Sequence, residues 1–404
     1  METPNLIFIG SWPPPFGGIA SHLNQLLPEI VKRGYDVQVF SYHEKKNEVS
    51  IIENGVNITF FSPKDYLRKR LFFIIGKLIP FWRNLSRSTW KDMVIGATVA
   101  VKIESKIMVN KTNIIFTYDN DKLFLNPFIS KKDINAIFST IYADFYLYPL
   151  RYVPQKYFLK ICLSHTTKVL SCSRYCAESA SNFLNSSFPT QVIFNNVDQN
   201  KFSPEISGLK VRSAFNIEND QILLLTMARV SNAMGIDFIL KIAPKLLNEF
   251  PKLVILIAGA SGDLSEEVEK QSLIYDRLKF KFNVRDEEKA EYFSACDIFS
   301  APTKDLHACM GIANIEAMMT GKPVISSKSG GHTETIDDGG SGFLIPFKNG
   351  YISEEKYVNC LAKLYNDKDL RLSMGLHARL RAELLFSNSS IVDQHISLIK
   401  EVNS

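Results

Sequence analysis

GIANIEAMMTGKPVISSKSGGHTETIDDGGSGFL, residues 311–344, decides the fold. It opens on a small, apolar helix start that carries one carboxylate, Glu316. A Gly-Lys-Pro turn leads into PVISS (323–327), a short β-rich run. Gly330 and Gly331 follow that run and stand before another helix, with Glu334 and a Gly-rich turn behind them. A glycine pair lets backbone approach a ligand closely. A helix N-terminus adds free N–H groups and a partial positive charge. The stretch reads as strand, anion cradle, helix.

Upstream lie four more runs of the same kind, QILLLTMA (221–228), LVILIAG (253–259), LKFKF (278–282) and DIFSAP (297–302). An earlier series comprises LIFIG (6–10), DVQVF (36–40), NIIFT (113–117), AIFSTI (136–141) and KVLSCS (168–173). Helical patterns separate the runs in both series. Such alternation means parallel sheets with right-handed crossovers. The polar, turn-rich stretch NNVDQNKFSPE (195–205) parts the two series. With 404 residues, 46% of them hydrophobic, the chain is also too long for one ordinary core. Two doubly wound domains are expected, at 1–195 and 196–378, with an amphipathic C-terminal helix over 379–404 packing back toward the first. Ligands bind outside the carboxyl ends of such strands, so the cleft between two facing domains is the expected site.

The loop SWPPPFGGIASHL (11–23) places Gly17 and Gly18 between the first strand and a helix, a phosphate-friendly turn. It matches neither GxGxxG nor GxxxxGK[ST]. In MARVSNAMGID (227–237), Arg229 leaves a strand end, where a guanidinium can clamp a diphosphate in bidentate fashion. DND (119–121) has metal–nucleotide spacing but reads as a solvated loop, with Asp119 able to meet an acceptor. Six scattered cysteines form no zinc pattern and fit a reducing compartment. Asn5–Ile9 is too short for the apolar core of a signal peptide, and no run of about 18 apolar residues appears. Net charge is only +5, without an RNA or DNA motif, so nucleic acid is not an expected partner. Charge is concentrated instead in residues 63–91, where eight Lys/Arg face one Asp and Phe72, Phe73, Phe81, Trp82 and Trp90 are interleaved. A basic, aromatic, amphipathic segment suits an anionic membrane surface. A cytoplasmic protein, peripheral at the membrane, is the expectation.

Taken together these motifs resemble the retaining, family 4 glycosyltransferases of the GT-B architecture. The resemblance rests on Gly17-Gly18-Ile-Ala-Ser-His22 and on Asn195, Asn196, Val197, Asp198, Phe202 and Pro204. It continues through Glu316-Ala-Met-Met-Thr-Gly-Lys-Pro-Val-Ile, then Gly330, Gly331, Glu334 and Gly342-Phe-Leu. Asn196 falls on a usual glycine, where Asn tolerates positive φ. The resemblance implies a GT-B fold of two Rossmann-like domains and a hexosyltransferase needing neither metal nor cofactor. Its donor would be a UDP- or GDP-type nucleotide sugar. Glu316 would bind the donor ribose and Arg229 the diphosphate. Ser329, Gly330 and Gly331, with Ile312 and Ala313 at the helix start, would line the donor site. His22 and Tyr142 would approach a lipid-linked or glycan acceptor in polysaccharide or glycoconjugate assembly.

Three positions depart from the family pattern. A second Glu, eight residues before Glu316, is replaced by Ala308. A Lys five after the Arg is replaced by Met234, and a usual His by Tyr142. Lys304, Asp305, His307 and Lys328 stand nearby as substitutes. Two other readings follow from the departures and the architecture: a degenerate partner subunit of an active transferase, and a nucleotide-sugar 2-epimerase.

Overall fold

The computed structural model describes residues 3–13, 18–42, 48–61, 95–118, 120–129, 132–142 and 153–403, apart from positions 98, 102, 105 and 307. Gly17, Asp119, His307 and the basic segment 63–91 lie outside the described residues. The chain divides into two compact units, Met1–Asn196 with Ile391–Ser404, and Val197–Ser390.

The first unit is built on β1 (Asn5–Ile9), β2 (Asp36–Tyr42), β3 (Val49–Glu53), β4 (Val56–Phe61), β5 (Asn113–Tyr118), β6 (Ala136–Ile141), β7 (Lys168–Ser171) and β8 (Thr190–Val192). They form one sheet in the order β3-β4-β2-β1-β5-β6-β7-β8. Every pairing is parallel except β3 with β4. β1, β5 and β6 are buried along their whole length. That is the pattern of strands covered on both faces. β3 and β4 are joined by Asn54 (φ 51°) and Gly55 (φ 80°), the double left-handed turn that a twisted hairpin requires. Phe8 stacks on Phe116 with ring centroids 4.6 Å apart. Ile391, Val392, Ile396 and Ile399 of the terminal helix Asn388–Asn403 join the same core.

The second unit holds β9 (Ile222–Met227), β10 (Leu253–Gly259), β11 (Leu278–Phe282), β12 (Ile298–Ala301), β13 (Val324–Ser327) and β14 (Gly342–Ile345). Their order is β11-β10-β9-β12-β13-β14, all parallel. Counted within the unit this is the doubly wound Rossmann order, which reverses between β9 and β12. Helices Ile236–Glu249 and Glu354–Asn366 lay their apolar faces on it, through residues such as Ile239, Leu246 and Leu361.

Two expectations are corrected. The boundary placed at 379 falls inside the helix Lys368–Phe386. There the Arg379 guanidinium donates to the carbonyls of Phe202 (2.7 Å), Gln199 (3.3 Å) and Met319. These bonds hold that helix to the second unit, and only Ile391–Ser404 belongs to the first. Asn196 is not among the residues with positive φ. Its side chain instead bonds His22, so a polar contact, not backbone freedom, accounts for Asn at that place.

Candidate functional site

The second unit assembles its candidate residues on the loops that leave β9, β12 and β13. Arg229 stands two residues beyond β9, exposed. Among the described residues its guanidinium has no hydrogen-bond or ion-pair partner. The turn after it closes at Gly235 (φ 74°). A Cβ there would sit 1.7 Å from the Pro302 carbonyl, so only glycine lets this turn meet the loop after β12. Met234 is turned onto the apolar core and brings no charge to the turn. Lys304 approaches from the β12 side. Its N–H donates to the Ala233 carbonyl at 2.8 Å and its ammonium is held by the Asp237 carboxylate.

The Gly330–Gly331 pair has a packing role that its sequence does not reveal. Cβ atoms on the two would lie 2.3 Å from the Ala308 carbonyl oxygen and 1.7 Å from that of Cys309. The Gly331 N–H donates to the Ala308 carbonyl at 2.8 Å. Ser329 Oγ donates to the Asp305 carbonyl at 2.9 Å. The loops after β12 and β13 are therefore welded back to back. Beside them begins the helix Ile312–Met319. Its N-cap is Gly311 (φ 71°), with no side-chain cap, so the first-turn amides near Ile312 and Ala313 keep their donor character. His332 braces this start. Its Nδ1 lies 2.7 Å from Ser326 Oγ, and burial lowers its pKa to about 4, so it is neutral at physiological pH.

Glu316 lies further along the same helix and is only 8% exposed. Burial pushes its carboxyl up to about 7. Lys289 and Lys201 pull it down and Asp286 pushes it up. A carboxylate this deep needs hydrogen-bond donors or a cation to stay ionised.

In the first unit, Gly18 opens the helix Gly18–Lys32, and His22 lies one turn in. His22 is buried and meets the Asn196 side-chain oxygen through Nδ1. Burial, then the nearby His395, lowers its pKa to about 3. Tyr118, at the end of β5, reaches His395 Nε2 at 2.7 Å. His395 Nδ1 lies 2.8 Å from the Ile391 carbonyl, so Nδ1 carries the proton and Nε2 accepts from the tyrosine. Tyr142 directly follows β6 and is buried. The structure thus joins His22 to Tyr118, Asn196 and His395, none of which was read as its partner.

Residues 209–381, all inside the second unit, match the family described as glycosyl transferases group 1. D-inositol 3-phosphate glycosyltransferase of Corynebacterium jeikeium (strain K411) is 29% identical over 161 residues, 38% of this chain and 37% of that one. The phosphatidylinositol N-acetylglucosaminyltransferase gpi3 subunit of Schizosaccharomyces pombe is 23% identical over 329 residues, 80% of this chain and 65% of that one. The matches thus span from about a third to two thirds of these curated relatives. The whole fold, not the one domain alone, is similar to Anabaena Alr3699/HepE, solved in complex with UDP and glucose. The TM-score is 0.69 at 17% identity, over 98% of this chain and 99% of that one. The architecture is GT-B, with two Rossmann-like units. Within the matched residues 209–381 lie Arg229, Lys304, the helix start at Gly311 and Glu316.

Proposed function

We propose that the protein transfers a sugar from a nucleoside diphosphate sugar to a hydroxyl of a lipid-linked or glycan acceptor, with retention at the anomeric carbon. The observation that carries this reading is Glu316. It is a buried carboxylate, within the stretch that matches glycosyl transferases group 1, on a helix whose start has no side-chain cap. In this reading the ionised carboxylate accepts the two ribose hydroxyls of the donor. Arg229, without an internal partner, meets the diphosphate and stabilises the charge that develops as the glycosidic bond breaks. The first-turn amides at Ile312 and Ala313 supply neutral donors to the same phosphates. UDP- and GDP-type donors fit equally. Charge neutralisation by these protein groups supports a transfer that does not rely on a metal ion. The basic segment 63–91 supports a peripheral place on an anionic membrane, where a lipid-linked acceptor would be met. Among the described residues no helix is long and apolar enough to cross a membrane.

Arg229→Ala tests the reading. Charge-assisted hydrogen bonds contribute about 1.5–3 kcal/mol, so one lost clamp should lower kcat/KM for the donor by about 10- to 100-fold. The readout is nucleoside diphosphate release from UDP- and GDP-sugars in the presence of polyprenyl-linked glycans. Unchanged turnover would remove Arg229 from the diphosphate.

One observation favours a second reading. Met234 packs into the core and Ala308 carries no acid, so two charges of the family's donor site are absent. A non-catalytic partner of another transferase would tolerate both losses, and the S. pombe relative is itself named a subunit. Nucleotide binding without turnover, together with a stable complex with a second chain, would favour it.

A further inference from the structure

The charges around Glu316 come from three separate elements. Asp286, in the loop after β11, accepts from Lys201 Nζ at 2.5 Å and from Lys289 Nζ at 2.9 Å. Lys201 belongs to the segment that opens the second unit, and Lys289 is the first residue of the helix Lys289–Ala295. Among the described residues, Lys289, Asp286 and Lys201 are the charged groups that act on Glu316. From the helix Lys368–Phe386, Arg379 reaches the carbonyl of Met319 at the far end of Glu316's own helix. Two ammoniums and two carboxylates thus form one cluster with no net charge. Its most buried member is Glu316.

The two lysines share one carboxylate, which leaves one positive charge over. Lys289 opens the helix Lys289–Ala295, which packs against the helix Ile312–Met319 that carries Glu316. Burial alone would lower the Lys289 pKa, but Glu316 and Asp286 outweigh it and raise the pKa. Asp286 shows the mirror image: burial raises its pKa, and Lys201 and Lys289 bring it below the ordinary value. The carboxylate of Asp286 therefore stays ionised at neutral pH and fixes both lysine heads.

Resting on the reading of Glu316 as the ribose-binding acid, we propose that Lys289 is a positioning residue of the donor site. Its ammonium, anchored on Asp286, holds Glu316 as the carboxylate that accepts two ribose hydroxyls. A protonated Glu316 would offer one acceptor oxygen and one hydroxyl, and would bind a cis-diol less well. Lys289 touches no donor atom in this account. It sets the pH range in which the site is competent, and Lys201 ties that setting to the start of the unit.

The test is calorimetric binding from pH 6 to pH 9, using UDP-glucose, UDP-N-acetylglucosamine and GDP-mannose, whose diphosphate esters do not titrate in that range. Wild-type affinity is expected to rise through a midpoint near the Glu316 value of about 7. Lys289→Met should move that midpoint upward, because the counter-charge is lost. A rise of one pH unit in the midpoint would lower the ionised population at neutral pH about fivefold. Affinity at pH 9 should approach the wild-type value, a recovery that general damage to the fold would not produce. Lys289→Arg should restore the wild-type profile. A Lys289→Met profile that overlays the wild type overturns the proposal. Glu316→Gln separates the two levels of the argument. Weak, pH-independent binding by Glu316→Gln keeps the ribose assignment, so an unmoved Lys289→Met profile would then count against Lys289 alone. Wild-type binding by Glu316→Gln would overturn the ribose assignment and the proposal with it.

Discussion

At pH 8, Glu316→Gln is expected to melt at a higher temperature than the wild-type chain, while binding a nucleoside diphosphate sugar about 10- to 100-fold more weakly. The two effects have one cause. Burial raises the Glu316 carboxyl from the ordinary 4.5 to about 7 in the folded protein. Between those values the folded state keeps a proton that the unfolded chain has released. Stability tied to this group is therefore fully present below about pH 4.5 and is lost as pH rises through about 7. Above that, the free protein carries an ionised carboxylate in a poor solvent, a cost of about 3 kcal/mol as an order of magnitude. Glutamine fills the same space and does not ionise. Calorimetric melting at pH 5 and pH 8 checks the sign. The mutant advantage should be small at pH 5 and open at pH 8. Equal differences at the two pH values would mean that Glu316 is not held near neutrality. The ribose hydroxyls of a bound donor would offset the cost in the wild type, as hydrogen bonds to the ionised form do.

The first unit should fail in acid for the opposite reason. His22 is lowered from 6.5 to about 3, by burial and then by His395, and burial lowers His395 to about 4. Below pH 6.5 the unfolded chain takes up protons that the folded unit refuses. This stability is present above pH 6.5 and is lost as pH falls toward the folded values. Each histidine contributes a slope of about 1.4 kcal/mol per pH unit, so the pair gives about 2.7. His332 adds a similar dependence to the second unit. Urea unfolding at pH 7, 6 and 5 measures it, with the buried Trp12 as one fluorescent probe of the first unit. His395→Gln keeps an acceptor for the Tyr118 hydroxyl but takes up no proton, and should remove about half of that slope. A midpoint that does not move between pH 7 and pH 5 would refute the linkage.

Much of the fold is legible because its strands are buried on both faces. Runs such as NIIFT and LVILIAG leave few alternatives, and the observed β5 and β10 fall on them. In the hairpin of β3 and β4, β3 has no hydrophobic pattern in the sequence. The whole of β3 is exposed, so it has no buried face to produce a pattern. The Asn54–Gly55 pair was the readable signal. Arg229 and Glu316 could be located because each sits at a fixed offset from a strand or a helix start. Their surroundings could not. The hydrogen bonds of His22 with Asn196 and of Tyr118 with His395 span 174 and 277 residues. Lys289 stands in DEEK, a run that reads as solvated charge, and only the fold sets it against Glu316. The Gly330–Gly331 pair was assigned to anion binding. Its tight approach to Ala308 and Cys309 gives it a packing reason that local sequence does not contain.

A nucleotide site at Glu316 is tested most directly by a thermal-shift screen against UDP, GDP, CMP, ADP and their common sugars. A ligand at 100 times its Kd stabilises the folded state by about 2.7 kcal/mol. A clear upward shift is expected with a UDP- or GDP-type ligand, abolished in Glu316→Ala. No shift with any of them, or a shift that survives in Glu316→Ala, would contradict it.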